Sequence, residues 1–229
     1  MVSSNVLDSL ARLGHCSITR GAAFAVVALG LSAISSAAVY IGPGGDIPDA
    51  PQDQVPGTPL STSVVVPDSF SVGTVEVELT NLFHAYVGDI IATLTSPSGT
   101  SMTLFTRMGR PEVNAAYGDS SVFGGTYILS DTGTITLAAA ALAVGNDETV
   151  PAGSYRTSDD SDLPTALSLP FAGQDSTGTW TLTMTDSGNL DTGVLGGWAL
   201  ELTAIPEPGS LALLTCAGLA LGTRRRRVV

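Results

Sequence analysis

The 229-residue chain contains a histidine, a serine and an aspartate whose side chains could together perform nucleophilic hydrolysis: His84, Ser101 and Asp186. A serine becomes a nucleophile when a histidine accepts its proton and a carboxylate orients that histidine, so the three must meet in space. Ser101 follows a Pro/Gly turn and leads into residues 103–105, which are typical of a strand. We therefore favour structural roles, with His84 as a packed or hydrogen-bonded histidine.

Two Asp-Thr-Gly tripeptides begin at Asp131 and Asp191. Paired carboxylates can perform acid–base hydrolysis when they share one proton. Asp-x-Gly is also typical of β-turns, because Asp bonds nearby backbone and Gly tolerates a positive φ. Both tripeptides lie in turn-rich sequence, so we interpret them as turns. The chain has no Cys/His zinc spacing and no phosphate-binding glycine loop.

Calcium is the one ligand that the sequence suggests. Three hard oxygen ligands of the kind calcium prefers follow one another on a single predicted loop, at Asp186, Asn189 and Asp191. A weaker candidate set is Asp159, Asp160 and Asp162. The alternative for both sets is a solvated acidic turn, and we favour that alternative.

The elements that would position these residues are short strands. Glu76 and Glu78 alternate with Val75, Val77 and Leu79, so one face of that strand is wet and the other buried. Similar runs lie at residues 64–66, 91–94, 127–129, 135–137, 180–184 and 198–202. Residues 138–144 could form a short helical turn. The pattern predicts an all-β fold, an antiparallel β-sandwich or jelly roll over residues 61–203, with Trp180 and Trp198 as core anchors.

The first 38 residues have the pattern of a secretory signal peptide. Arg12 and Arg20 precede an apolar run at residues 21–34, and small residues follow up to Ala38. We expect cleavage after Ala38. Residues 39–60 contain five prolines and four glycines, which predicts an extended linker outside the core.

Residues 204–229 combine a proline-bracketed break, an apolar run and a cationic end. The apolar run has no polar face, so it is not a surface helix, and the terminal arginines resist translocation. The pattern resembles the PEP-CTERM sorting signal of Gram-negative bacteria that make extracellular polysaccharide. The resemblance implies an apolar sorting helix, transient membrane anchoring and removal by an exosortase-type sorting protease. The residues that carry it are Pro206, Glu207, Pro208, Arg224, Arg225, Arg226 and Arg227.

The predicted exported part is strongly acidic and has no cysteine. Residues 39–203 contain three arginines against 19 aspartates and glutamates, a formal charge of −16, and the chain has no lysine. Both cysteines, Cys16 and Cys216, lie in the predicted sorting segments, so the domain must be stable without disulfides. Such a charge repels nucleic acid and favours divalent cations or basic partners.

Three blocks, at residues 75–100, 167–186 and 193–202, resemble the P domain, also called the P/Homo B domain. This β-sandwich follows the catalytic domain of kexin- and furin-like proteases of the subtilisin family. The segment after Phe123 lacks the acidic pair that is frequent in the family. The matching motif residues are His84, Asp89, Ser96, Pro97, Gly99, Thr100, Trp180, Asp186 and Trp198.

The resemblance also bears on the hydrolytic residues. Residues 99–102 and 186–188 are similar to the sequences around the nucleophile and the aspartate of the subtilisin family. That family has the order Asp, His, Ser, whereas this chain has His84, Ser101 and Asp186. We therefore expect an exported, non-catalytic binding or structural module at the cell surface or in the extracellular polysaccharide matrix. One alternative is an accessory subunit acting in trans on a secreted serine endopeptidase. Another is a hydrolase that uses His84 and Ser101.

Overall fold

The computed structural model describes residues 37–112 and 114–206. Residues 1–36 of the predicted signal peptide and residues 207–229 of the predicted sorting tail lie outside the described residues. Within the described ranges, no helix is long and apolar enough to cross a membrane. The strands are β1 Ala37–Ile47, β2 Leu60–Val66, β3 Val72–His84, β4 Ile90–Thr95, β5 Ser101–Thr106, β6 Phe123–Leu129, β7 Gly153–Tyr155, β8 Gly178–Asp186 and β9 Gly193–Ala204. The helix α1 spans Leu137–Val144, and a short 3-10 helix spans Val87–Asp89.

The strands form two sheets. The five-stranded sheet has the order β1-β9-β3-β6-β7, and the four-stranded sheet has the order β2-β8-β4-β5. Their strand pairs are antiparallel, except that the short β7 runs parallel to β6. The prediction of an all-β sandwich is confirmed, with the parallel β6–β7 pair as an addition.

The core lies between the inner faces of the two sheets. On β3, Val75, Val77 and Leu79 are buried while the glutamates between them face outward, as the alternation predicted. The structure places both tryptophans in the core: Trp180 donates to the carbonyl of Ser176 at 2.9 Å, and Trp198 lies on β9 of the other sheet. Large aromatic side chains from both sheets therefore fill the centre of the sandwich.

The predicted linker at residues 39–60 is corrected by the structure. Its first part belongs to the edge strand β1, which pairs with β9 from Ala37 opposite Thr203 to Ile47 opposite Gly193. Ile47 is fully buried. The glycines that suggested a linker allow this strand to lie close to its neighbour, because a Cβ atom on Gly42 would lie 2.1 Å from the indole nitrogen of Trp198.

The predicted strand at residues 135–137 is also wrong. Thr136 is the N-cap of α1, and its hydroxyl accepts a hydrogen bond from the amide of Ala139 at 3.0 Å. Leu137 begins the helix and is fully buried. The short helix predicted for the alanine run is therefore present, and it begins one residue earlier than the run at 138–144.

Candidate functional site

One end of the sandwich carries most of the residues that the sequence singled out. There β3 and β8 end at His84 and Asp186, β4 begins at Ile90, and β9 begins at Gly193. The register brings these positions together, because Ile90 pairs with Asp186 and His84 pairs with Gly193. We call this the acidic end; its loops are residues 48–59, 85–89, 107–122 and 187–192.

A buried histidine–aspartate pair joins the two sheets at the acidic end. With the proton on Nε2, His84 donates to Asp186 Oδ2 at 3.1 Å, and neither side chain is exposed. The other ring nitrogen, Nδ1, lies 3.1 Å from the amide of Tyr86, from which it then accepts, and 2.9 Å from the carbonyl oxygen of Tyr86. Asp186 Oδ1 accepts from the amide of Gly188 at 2.9 Å. Both ring nitrogens of His84 and both carboxylate oxygens of Asp186 therefore have hydrogen-bond partners, which indicates that the pair is a structural tie between β3 and β8.

The structure does not bring Ser101 to this pair. Along β4, Ile90 pairs with Asp186 and Thr95 pairs with Ser101, so the two sites are about 17 Å apart at the rise of an extended strand. The Ser101 hydroxyl instead bonds that of Thr95 at 2.8 Å on an exposed surface. His84, Asp186 and Ser101 do not form a triad, so the geometry contradicts the hydrolase alternative.

The two Asp-Thr-Gly tripeptides also lie far apart. Asp131 follows the end of β6, whereas Asp191 precedes β9 at the acidic end. The carboxylate of Asp131 accepts from the amides of Leu167 at 2.6 Å and Ser168 at 3.1 Å. Residues 131 and 132 do lie in a turn, but the Asp131 carboxylate holds a segment 36 residues further along the chain instead of its own turn.

Asp89 is the second buried carboxylate of the acidic end. Its backbone ties two loops: the amide donates to Tyr86 O at 3.3 Å, and the carbonyl accepts from Ser187 N at 2.9 Å. The carboxylate packs against Gly188, where a Cβ atom would lie 2.1 Å from Asp89 Oδ2. Burial, and then the Asp186 carboxylate, raise the pKa of Asp89 to about 6, while Arg107 opposes the rise.

The predicted calcium ligands Asp186, Asn189 and Asp191 lie at the acidic end, between the end of β8 and the start of β9. Asp186 has both oxygens occupied in the core, as described above. Among residues 37–112 and 114–206, no group of three or more His, Cys, Asp or Glu side chains is arranged to hold a metal ion. Calcium binding on this loop stays a prediction of the sequence, and Asp186 is the member whose geometry fits it least.

The second acidic set is held in turns. Asp159 Oδ1 accepts from the amides of Ser161 at 2.9 Å and Leu163 at 3.0 Å, and Asp162 Oδ2 accepts from the amide of Gly109 at 2.9 Å. Burial raises the pKa of Asp162, and the bond from Gly109 partly opposes the rise. These bonds match the acidic-turn alternative.

The loop that we call the Leu190 loop, residues 187–192, is held by two aspartates that the sequence analysis missed. The amide of Asn189 donates to Asp53 Oδ1 at 3.2 Å, and the amide of Leu190 donates to Asp49 Oδ2 at 3.1 Å. Tyr117 lies beside them, with its hydroxyl 3.4 Å from Asp53 Oδ2. Both aspartates come from the segment predicted as a linker, whose proline content concealed their role.

The Ser-Pro-x-Gly-Thr motif lies at the opposite end and makes the turn between β4 and β5. Ser96 N donates to Thr100 O at 2.8 Å, and Gly99 adopts φ +85°, which favours glycine. Gln174 fastens this turn to the chain before β8. Its Oε1 accepts from the hydroxyls of Ser96 at 3.0 Å and Ser98 at 2.7 Å, and its Nε2 donates to Thr100 Oγ1 at 2.9 Å. The sequence contained no signal for Gln174.

Comparison with known proteins agrees with part of the resemblance. The family model of the proprotein convertase P-domain matches residues 147–202, which include β8, the Leu190 loop and most of β9. The block with His84 and the Ser-Pro-x-Gly-Thr turn lies outside the match. No curated protein matches the chain.

Two solved structures are similar to this chain at low identity. One is the Aeromonas sobria serine protease in complex with the chaperone, at 16% identity and a TM-score of 0.39, covering 74% of this chain and 27% of that one. The other is the serine protease of Aeromonas sobria, also at 16% identity and a TM-score of 0.39, covering 75% and 28%. The chain thus spans about a quarter of the length of these proteases.

Proposed function

We propose that this protein is an exported, non-catalytic binding module built on a P-domain-like β-sandwich. The observation that carries the proposal is the P-domain match over residues 147–202 together with the buried His84–Asp186 pair. This pair ties one sheet to the other, so two of the three candidate hydrolytic residues have a structural role.

The proposal extends to export and sorting. A signal peptide cleaved after Ala38 would leave β1 paired with β9 from Val39 opposite Glu201 onward, at the loss of two residue pairs. The PEP-CTERM-like motif begins at Pro206, two residues beyond the end of β9 at Ala204, so removal of the tail would not shorten the sheet. Both processing events are therefore compatible with an intact sandwich at the cell surface or in the polysaccharide matrix.

A second candidate is an accessory subunit that acts in trans on a secreted subtilisin-like protease. The match to the P-domain family model favours it, because the domain is associated with such proteases. The two candidates differ in the partner, which is a matrix component in the first and a protease in the second.

Mass spectrometry of the chain recovered from cells and medium, with a tag inserted at the exposed Gly145, tests the proposal. We expect a mature amino terminus at Val39 and loss of the residues that follow the Pro206–Pro208 region. Recovery of a subtilisin-like serine protease in stoichiometric amounts would favour the second candidate, and recovery with the polysaccharide fraction would favour the first. An intact chain that ends at Val229 and remains inside the cell contradicts both.

A further inference from the structure

The most exposed large apolar side chain of the described residues lies at the acidic end. Leu190 is 87% exposed, and its backbone has φ +82°. Among the described residues with a positive φ, it is the only one with an apolar side chain; the other non-glycine members are polar or charged. A leucine pays a steric penalty in this region that glycine or asparagine largely avoids, and it gains nothing from exposure to water.

The backbone conformation of the Leu190 loop is held by other segments of the same chain. Asp186, Asp53 and Asp49 accept, in turn, the amides of residues 188, 189 and 190. Three successive backbone donors are therefore held by carboxylates from β8 and from the segment between β1 and β2. The loop presents its leucine from a fixed backbone, which lowers the entropy lost when a partner binds.

An aromatic side chain shares a hydrogen-bond partner with the Leu190 loop. Tyr117 is 62% exposed, and its hydroxyl lies 3.4 Å from the same Asp53 that accepts from the Leu190 loop. The acidic end thus exposes a tyrosine and a leucine on loops that meet at Asp53, and exposed residues of these types anchor protein interfaces. We call Leu190, Tyr117 and the carboxylates of Asp49, Asp53 and Asp191 the Leu190 surface.

The charge around this pair is negative. The loop of residues 107–122 carries two arginines. Arg107 is 7% exposed and donates to the carbonyls of Gly88 and Ala116, and Arg110 is half-buried and acts electrostatically on Asp162. The exposed apolar pair is therefore bordered by carboxylates. A surface of this kind complements an apolar socket edged by arginine or lysine and repels anionic lipid.

The Leu190 surface is also remote from both ends of the described chain. Ala37 pairs with Thr203, whereas Ile47 pairs with Gly193 at the acidic end. Ten residues of extended strand separate the two positions, about 33 Å. A chain held at either end would leave the Leu190 surface accessible.

We propose that the Leu190 surface is the docking site of this module for a basic protein partner, and that Leu190 inserts into an apolar pocket of that partner. The inference rests on the proposed binding function and names the surface that performs it. It implies that the strain at Leu190 is retained for recognition, so relief of the strain raises thermal stability while it weakens binding.

The test compares Leu190→Asn with Leu169→Asn in the full-length chain. Leu169 is 74% exposed and is not among the residues with a positive φ, so it is a matched control. The probe is a fluorescein-labelled decapeptide of alternating leucine and arginine, measured by fluorescence anisotropy at two salt concentrations. Decapeptides of alternating leucine and glutamate, or glycine and arginine, report the contributions of charge and of the apolar side chain.

We expect Leu190→Asn to weaken binding of the leucine–arginine peptide at least tenfold. It should also raise the melting temperature by about 2–5 °C, because asparagine adopts a positive φ with less strain than leucine does. Leu169→Asn should change neither quantity, and the glutamate peptide should not bind.

Two results would overturn the inference. Equal affinity of the two variants for the leucine–arginine peptide places the docking site elsewhere, and a lower melting temperature for Leu190→Asn makes Leu190 structural. Binding of wild type to vesicles with one-quarter phosphatidylglycerol, lost in Leu190→Asn, would also overturn it in favour of a membrane contact. Each of these results leaves the recovery of partners from cells as an independent test of the proposed function.

Discussion

Replacement of Asp89 by asparagine should stabilise the protein at neutral pH. Burial of the Asp89 carboxylate, and then its repulsion by Asp186, raise its pKa from 3.8 to about 6 in the folded state. The folded protein therefore binds this proton more tightly than the unfolded chain does. It follows that the contribution of Asp89 to the free energy of unfolding falls as the pH rises from about 4 to about 6, and is constant above that range.

The size of the effect follows from the same pKa values. At about 1.4 kcal/mol per pH unit, the difference between 3.8 and about 6 sets a ceiling of about 3 kcal/mol. Solvent screening at the edge of the site lowers this to about 1–2 kcal/mol. Asparagine has nearly the same shape and no charge, so it should recover this free energy at pH 7 and recover nothing at pH 4.

Thermal unfolding of wild type and Asp89→Asn between pH 4 and pH 8, in a buffer with a metal chelator, measures the effect. We expect the variant to melt about 2–6 °C higher at pH 7 and the difference to close towards pH 4. Other carboxylates titrate in both proteins, so only the difference between them reports Asp89. Asp160→Asn makes the same change of charge at an exposed position and is the control. A difference that is constant with pH, or that grows at low pH, would refute the burial argument.

Two further substitutions and one ligand addition test the contacts at the two ends of the sandwich. Asp186→Ala leaves buried His84 without its acceptor and should lower the free energy of unfolding in urea by about 3–5 kcal/mol. Asp160→Ala should leave it unchanged, and an equal loss in the two variants would mean that the pair does not tie the sheets. Gln174→Ala removes hydrogen bonds to three hydroxyls and to Pro170 O at 2.7 Å and should cost about 1–3 kcal/mol, while Gln52→Ala, at an exposed position, should be neutral. Millimolar calcium should raise the melting temperature relative to chelator if the Leu190 loop binds the ion; an unchanged melting temperature removes the calcium prediction.

Local patterns in the sequence predicted most of the strands. The alternation of valine, leucine and glutamate at residues 75–79 led directly to β3, because side chains of a strand point to opposite faces and only one face of an outer sheet is buried. Two segments misled the same reasoning. Residues 135–137 have strand-like side chains, but Thr136 caps a helix. Residues 39–47 contain glycine and proline typical of a linker, but the glycines admit β1 beside Trp198.

Composition and local motifs are enough to establish the class of the fold, the acidity of residues 39–203 and the motifs of the predicted sorting segments. These follow from composition and from residues close together along the chain. The roles of the chemistry-bearing residues depend instead on contacts between strands that are distant along the chain. His84 and Asp186 are 102 residues apart and meet because β3 and β8 end at the same end of the sandwich, whereas Ser101 lies at the other end of β4. Asp49 and Asp53 hold the Leu190 loop from about 140 residues away, and such contacts depend on strand order and register, which no local pattern encodes.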